Sequence, residues 1–156
     1  MKKCWKLRLS RLLLLPLLFI TVSTFAQYSK IEKGYYQFPI QPERTNYLAG
    51  NMGELRASHF HAGLDIKTNG VEGLDVYSAA EGYVSRIAVS TGGYGNAVYV
   101  VHPNGTTTVY AHLQRFNKEL AKYVLESQYK QKSFGVNLFP DRGRFKLKKG
   151  EVLGYS

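Results

Sequence analysis

The chain has 156 residues, with 21 lysines and arginines against 11 aspartates and glutamates, a formal charge of +10 and one cysteine. That length fits one ordinary domain, and the single cysteine excludes a disulfide-stapled scaffold. The positive charge suits anionic surfaces and polymers, or simply a soluble basic surface, and no basic helix, aromatic-basic platform or reading motif points to nucleic acid.

The first element along the chain is a targeting segment. Lys2, Lys3, Lys6, Arg8 and Arg11 precede an apolar run from Leu12 to Val22, and Thr24-Phe25-Ala26 offers small residues where a signal peptidase reads. We expect a secretory signal over residues 1–26, cleaved after Ala26, which places the protein in the periplasm or cell envelope. A retained anchor is the alternative, but the apolar run is shorter than the roughly 20 residues of a spanning helix, so no stable membrane anchor is expected. Cys4 precedes the run, which leaves no cysteine to carry lipid at its end. Cleavage removes five basic and no acidic residues and so halves the formal charge of +10.

Residues 27–46 form a leader of weak pattern, and the domain is expected over 47–156. Strand formers and Gly-rich turns dominate from 47 to 112. Two short apolar segments flank Glu81-Gly82, TGGYGN breaks the chain, and PNG lies between AVYVVH and TTTVYAHL, which predicts a hairpin with Asn104-Gly105 at its tip. One helix is predicted, about 117–132, with Asn117 as its cap and Leu120, Tyr123 and Val124 on one face. Short strands follow, with turns at Pro140-Asp141 and Lys149-Gly150. The fold class is therefore mainly β, an antiparallel sheet domain with a helical insertion.

The chemistry concentrates in HFHAGLDI, residues 59–66. In an extended strand His59, His61 and Asp65 share one face while Phe60, Ala62, Leu64 and Ile66 share the other, an apolar anchor to a core. Gly63 permits a bend that brings the tips of His61 and Asp65 together. Imidazole and carboxylate both ligate zinc, but spacing alone leaves two readings open, metal ligation and a structural carboxylate–imidazole hydrogen bond. Two other histidines remain. His102 precedes the PNG turn, where a surface position is expected. His112 follows Thr108 and Tyr110 at even spacing, so it is expected to continue their face toward a cleft, with Tyr110 either contributing there or packing across the strands. Gly92, Gly93 and Gly95 fit either the lip of a peptide groove or a turn that needs their backbone freedom. Arg56 fits either a peptide carboxylate or a surface salt bridge.

FHAGLDI, GLDVYSAAEGYVSRI, GGYGNAVYVVHPNG and TTVYAHL, in that order over roughly residues 50–154, resemble the lysostaphin-type (LytM-like) zinc metallopeptidases, which cut peptide bonds in bacterial peptidoglycan. The resemblance implies a β domain of the duplicated-hybrid-motif type, zinc as cofactor, peptidoglycan peptide as partner, and His61 and Asp65 as metal ligands. It implies that His112 is a catalytic residue that stabilises the attacked group, and it assigns no role to His59. It also implies a later Gly-rich segment and an HxH strand that supplies the third ligand and an assisting histidine. KKGEVLGYS resembles the approach to that segment, and the sequence stops there, so the domain is expected to be C-terminally truncated, its zinc site incomplete and the recorded chain an inactive fragment. The alternative is a non-catalytic relative that binds cell wall or regulates a hydrolase. The oligomeric state is left open.

Overall fold

The structure, a computed structural model, describes residues 31–156; the expected signal segment lies outside the described residues. In chain order the elements are β1 (Leu48–Gly50), β2 (Asp65–Ile66), β3 (Asp75–Tyr77), β4 (Gly82–Val89), β5 (Ala97–Val101), β6 (Thr107–Tyr110), β7 (Arg115–Phe116), α1 (Lys118–Gln131), β8 (Val136–Leu138), β9 (Lys146–Leu147) and β10 (Val152–Tyr155). All strand pairs are antiparallel, as the turn spacing predicts.

The largest sheet runs β6-β5-β4-β8, with β9 also paired to β4. Its two faces follow from the period of two along each strand. Val84, Ile87, Val98, Val100, Leu138 and Leu147 are buried on the inner face. Val84 and Ile87 are three residues apart, and both can point inward because a bulge between Val84 and Arg86 resets the alternation. Register then puts Arg86 opposite Tyr99, Ala88 opposite Asn137 and Tyr83 opposite Lys146 on the outer face. The hairpin between β5 and β6 closes as predicted, except that only Gly105 has positive φ, at 82°. Asn104 contributes through its side chain, whose oxygen accepts from the Thr106 N–H at 3.0 Å.

A second sheet, β3-β10-β7, covers the inner face, with Val76, Leu153 and Phe116 in the shared core. The helix occupies the predicted stretch because its cap and its face are both local. Asn117 Oδ1 accepts from the Leu120 N–H at 2.9 Å, Leu120 and Val124 are buried, and Lys132 ends the helix in a left-handed conformation. Residues 35–40 pack along the domain: the Gln37 N–H donates to the Ala79 carbonyl at 2.8 Å, the Tyr77 N–H to the Pro39 carbonyl at 2.8 Å, and Ile40 is buried. Among the described residues no helix is long and apolar enough to cross a membrane.

Two sequence expectations need correction. His102 is not on the surface but 3% exposed. Its ring lies edge-on to Tyr35 and Tyr36, so a segment more than sixty residues away covers the turn that sequence pattern places in solvent. Its Nδ1 donates to the Glu81 carbonyl at 2.7 Å, and its Nε2 is hydrogen-bonded to the Thr108 hydroxyl at 2.8 Å. HFHAGLDI, second, is not a continuous strand with an apolar anchoring face: only Asp65–Ile66 is strand, Phe60 is 69% exposed and Leu64 is exposed, while Ile66 alone packs against the core. The backbone of 59–61 is spent locally instead, since Arg56 N–H donates to the His59 carbonyl, His61 N–H to Glu54 and Gly53 N–H to His61. That small loop ladder, with a bridge between Leu55 and Phe60, turns Phe60 away from the core.

Candidate functional site

Strands β1 and β2 position the centre of the site, with Gly50 paired to Asp65 and Leu48 to Ile66. Asp65 therefore leaves a strand, whereas His61 leaves the loop four residues earlier. The chain bends between them at Gly63, and His61 Nε2 comes to 3.1 Å from Asp65 Oδ1. The expected meeting of the two tips is thus formed, by a bend and not by strand parity. His59, expected on the same face by strand parity, does not join the pair, and its Nδ1 meets the hydroxyl of the adjacent Ser58 at 3.2 Å.

Proton positions around the pair follow from its partners. The Asn51 carbonyl, 2.9 Å from His61 Nδ1, can only accept, so Nδ1 carries the proton and Nε2 of a neutral ring presents a lone pair. That lone pair faces a carboxylate oxygen. Such a contact calls for a proton or a cation between the two atoms. A tetrahedral zinc bound to both, with bonds near 2.0–2.2 Å, would set them about 3.3 Å apart. The observed 3.1 Å separation suits that ion and equally a direct Nε2–H···Oδ1 hydrogen bond. Residues 61 and 65 therefore fit as two zinc donors. Among the described residues no group of three or more histidines, cysteines, aspartates or glutamates is assembled to hold a metal.

The other carboxylate oxygen of Asp65 is held from behind. Arg56 Nη2 donates to Asp65 Oδ2 at 2.7 Å and to Glu54 Oε2 at 3.0 Å, so Arg56 makes the salt bridge and not a free carboxylate receptor. Both pairs are more than one-third exposed, which limits each to under about 1 kcal/mol of stability and leaves orientation of Asp65 as the main effect. Arg56 Nε, in contrast, is buried without a partner among the described residues. Gly50 makes room for this cluster: a Cβ there would overlap Arg56 Nη2 and lie 2.6 Å from Asp65 Oδ2. Gly50 and the Asn51 carbonyl are site components that pattern reasoning missed. Neither carries a ligating side chain, and only the β1–β2 register brings them to Asp65 and His61.

His112 is placed differently from expectation. Strand β6 ends at Tyr110, and His112 takes a left-handed backbone with φ of 55°, so even spacing from Thr108 no longer dictates its direction. Tyr110 is buried, and its hydroxyl accepts from the Ala79 N–H at 2.7 Å and pairs with Thr108, so its role is packing across the strands. The His112 N–H donates to the Tyr94 carbonyl at 3.0 Å, and its Nδ1 lies 4.0 Å from where a Cβ on Gly95 would stand. It thus belongs to the TGGYGN loop, where Gly93 and Gly95 have positive φ, as a turn requires, and Gly92 faces open space. Among the described residues no hydrogen bond joins His112 to His61 or Asp65.

Residues 59–129, which include this pair, His112 and most of the helix, match the family model of peptidase family M23. The chain is also similar to the proteins named DD-carboxypeptidase/endopeptidase Mpg of Neisseria meningitidis serogroup B and Neisseria gonorrhoeae, at 38% identity over 64 residues, which is 41% of this chain and 14% of each relative. The chain therefore spans a small part of the length of the curated relatives it matches. The resemblance to the lysostaphin-type peptidases holds as a resemblance to family M23.

Proposed function

We propose, from the premise that residues 59–129 are a family M23 peptidase segment, that this chain serves a zinc-dependent endopeptidase acting on the peptides of bacterial peptidoglycan, exported to the cell envelope by residues 1–26. The observation that carries the reading is the His61 Nε2–Asp65 Oδ1 contact, with its lone pairs turned toward one point. His61 and Asp65 are the residues that would hold the ion. When bound, zinc supplies Lewis-acid polarisation of a carbonyl and lowers the pKa of water toward neutrality.

The chain's own groups do the rest. The Asn51 carbonyl accepts from His61 Nδ1, which leaves Nε2 as the ligating nitrogen, and Arg56 fixes the Asp65 carboxylate by one oxygen while leaving the other free. His112, aimed by its left-handed backbone from the edge of the glycine loop, is the donor for negative charge that develops on the attacked carbonyl oxygen. The loop backbone around Gly92 and Gly93, with no side chain in the way, is one lip for an extended peptide. Two donors hold zinc only weakly, and the family resemblance assigns the third to an HxH strand.

Zinc content after equilibrium dialysis, measured with release of peptides from purified peptidoglycan, tests the reading. The 156-residue chain is expected to take up zinc weakly through His61 and Asp65 and to release no peptide. A chain extended through an HxH strand is expected to gain both tight zinc and hydrolysis. Zinc uptake unchanged in both His61→Ala and Asp65→Ala would remove the assignment.

A further inference from the structure

The outer face of the five-stranded sheet carries an arrangement for which the peptidase reading has no use. The Arg86 guanidinium lies over the Tyr99 ring, 4.6 Å from its centroid, with Phe139 at 5.8 Å, and its Nε donates to Asn137 Oδ1 at 2.7 Å. Arg142 lies over the Tyr83 ring at 5.3 Å, beside Lys146 on the neighbouring strand. Among the described residues none of these three cations has a carboxylate within salt-bridge distance, whereas Arg56 has two. Each guanidinium carbon lies over a ring, and among the described residues the terminal N–H groups have no hydrogen-bond partner. A planar fork presented in this way suits two oxygens of a carboxylate.

The surroundings of Arg86 narrow the ligand. A cavity of about 570 Å³ opens beside it, bounded by Tyr99, Asn137, Gln131 and Tyr94. Phe139 and Tyr94 are 66% and 50% exposed, so parts of both rings are open to solvent. Open rings pack against the C–H faces of sugars, amides pair with hydroxyls, and an arginine fork takes an acid group. Single-stranded nucleic acid fits less well, because the guanidinium groups already cover the Tyr83 and Tyr99 faces on which successive bases would stack. A lipid surface fits less well too, because a sheet face of mixed polarity offers no continuous apolar ridge to insert.

We propose that this outer face binds a carboxylate-bearing glycan strand, with Arg86 and Arg142 on the acid groups and Phe139 and Tyr94 against the sugar rings. The site shares no residue with the His61–Asp65 cluster, but its cavity is also lined by Gly92 and Gly93 of the peptide lip, so it would hold a stretch of the sugar polymer whose carboxylates carry no peptide, beside the bound peptide; the choice of polymer rests on the wall-peptidase reading. Peptidoglycan strands stripped of their peptides, with free carboxylates on alternate sugars, are the probe. Uncharged chitin oligomers, a single-stranded oligonucleotide and anionic phospholipid vesicles are the comparisons.

In calorimetric titration the full chain is expected to bind the stripped strands in preference to all three comparisons. Arg86→Gln combined with Arg142→Gln is expected to weaken strand binding by about tenfold or more, and Phe139→Ala to weaken it as well, with circular dichroism and melting unchanged. Should a variant fail to fold, amide chemical shifts of the wild-type protein decide: strand-induced shifts clustered at Arg86, Tyr99 and Asn137 support the site, and shifts elsewhere reject it. Absence of strand binding, wild-type affinity in the double variant, or equal affinity for oligonucleotide or vesicles overturns the proposal. A His61→Ala protein should bind strands as wild type does. Loss of its zinc therefore bears only on the peptidase reading, and failure to bind strands bears only on this one.

Discussion

Replacing Gly82 by alanine tests how closely β4 and β5 approach at the start of the large sheet. Its backbone φ is not in the left-handed region, so any penalty comes from space alone. The new Cβ would overlap the Val101 carbonyl oxygen and stand 2.8 Å from Val100 Cγ1 and 3.0 Å from His102 Nδ1. Two of these neighbours cannot swing away cheaply. Val101 is held by its pairing with Tyr83, and His102 by its bond to the Glu81 carbonyl. Overpacking in a dense interior costs about 1–3 kcal/mol, and a strained or lost buried hydrogen bond about 1–3 kcal/mol more. The lower entropy of the unfolded alanine chain returns about 0.4–1 kcal/mol. The net loss is therefore about 1–5 kcal/mol, or a fall in Tm of roughly 3–25 °C for a domain of this size. Urea titration followed by far-ultraviolet circular dichroism measures it. Gly92→Ala serves as the control, since nothing lies within 4 Å of its added Cβ and its φ is ordinary; it should stay within about 0.5 kcal/mol of wild type. A Gly82→Ala protein as stable as that control would show that the strand spacing gives way easily and that the packing argument fails.

Gly50→Ala should do the opposite, leaving Tm nearly unchanged because the displaced ion pairs are more than one-third exposed and contribute little, while lowering zinc uptake through a misdirected Asp65; dialysis and melting together separate the two effects. Asn117→Ala should cost about 1 kcal/mol by uncapping α1, seen as a lower urea midpoint with an unchanged slope. His112→Ala in a chain extended through an HxH strand should keep its zinc and lose about 10²–10³ in kcat, as removal of an oxyanion donor does; equal loss of metal and rate would make it a ligand. His59→Ala should alter neither zinc content nor rate in the same assays.

Local features of this fold were legible in sequence. Helix α1 announces itself through Asn117 and the spacing of Leu120 and Val124, and the β5–β6 hairpin through two β-branched runs around Gly105. The meeting of His61 and Asp65 was legible because Gly63 sits between them and only a short bend is needed. What stayed hidden depends on long-range packing. Nothing near His102 says that Tyr35 and Tyr36 will bury it, and nothing near Asp65 says that Gly50 will clear a space beside it. The inward placing of Phe60 rests on a continuous strand, whereas the loop ladder to Glu54 and Arg56 has the stronger claim on that backbone and turns the ring outward. The aromatic-basic face escaped notice because Tyr83, Arg86, Tyr99 and Arg142 come together only through strand register and the stacking it allows.

The left-handed backbone at His112 sets two selective pressures against each other. A side chain held at φ of 55° costs roughly 1 kcal/mol that glycine would not incur and asparagine would incur less. A variant library screened for heat resistance alone should therefore drift toward glycine or asparagine at this position and yield sturdier proteins. The same library, built in a chain extended through an HxH strand and screened for release of peptides from purified peptidoglycan, should retain histidine if residue 112 is the proposed donor. Position 112 would then read as a flaw to anyone optimising the fold, and as indispensable to anyone following the proposed reaction.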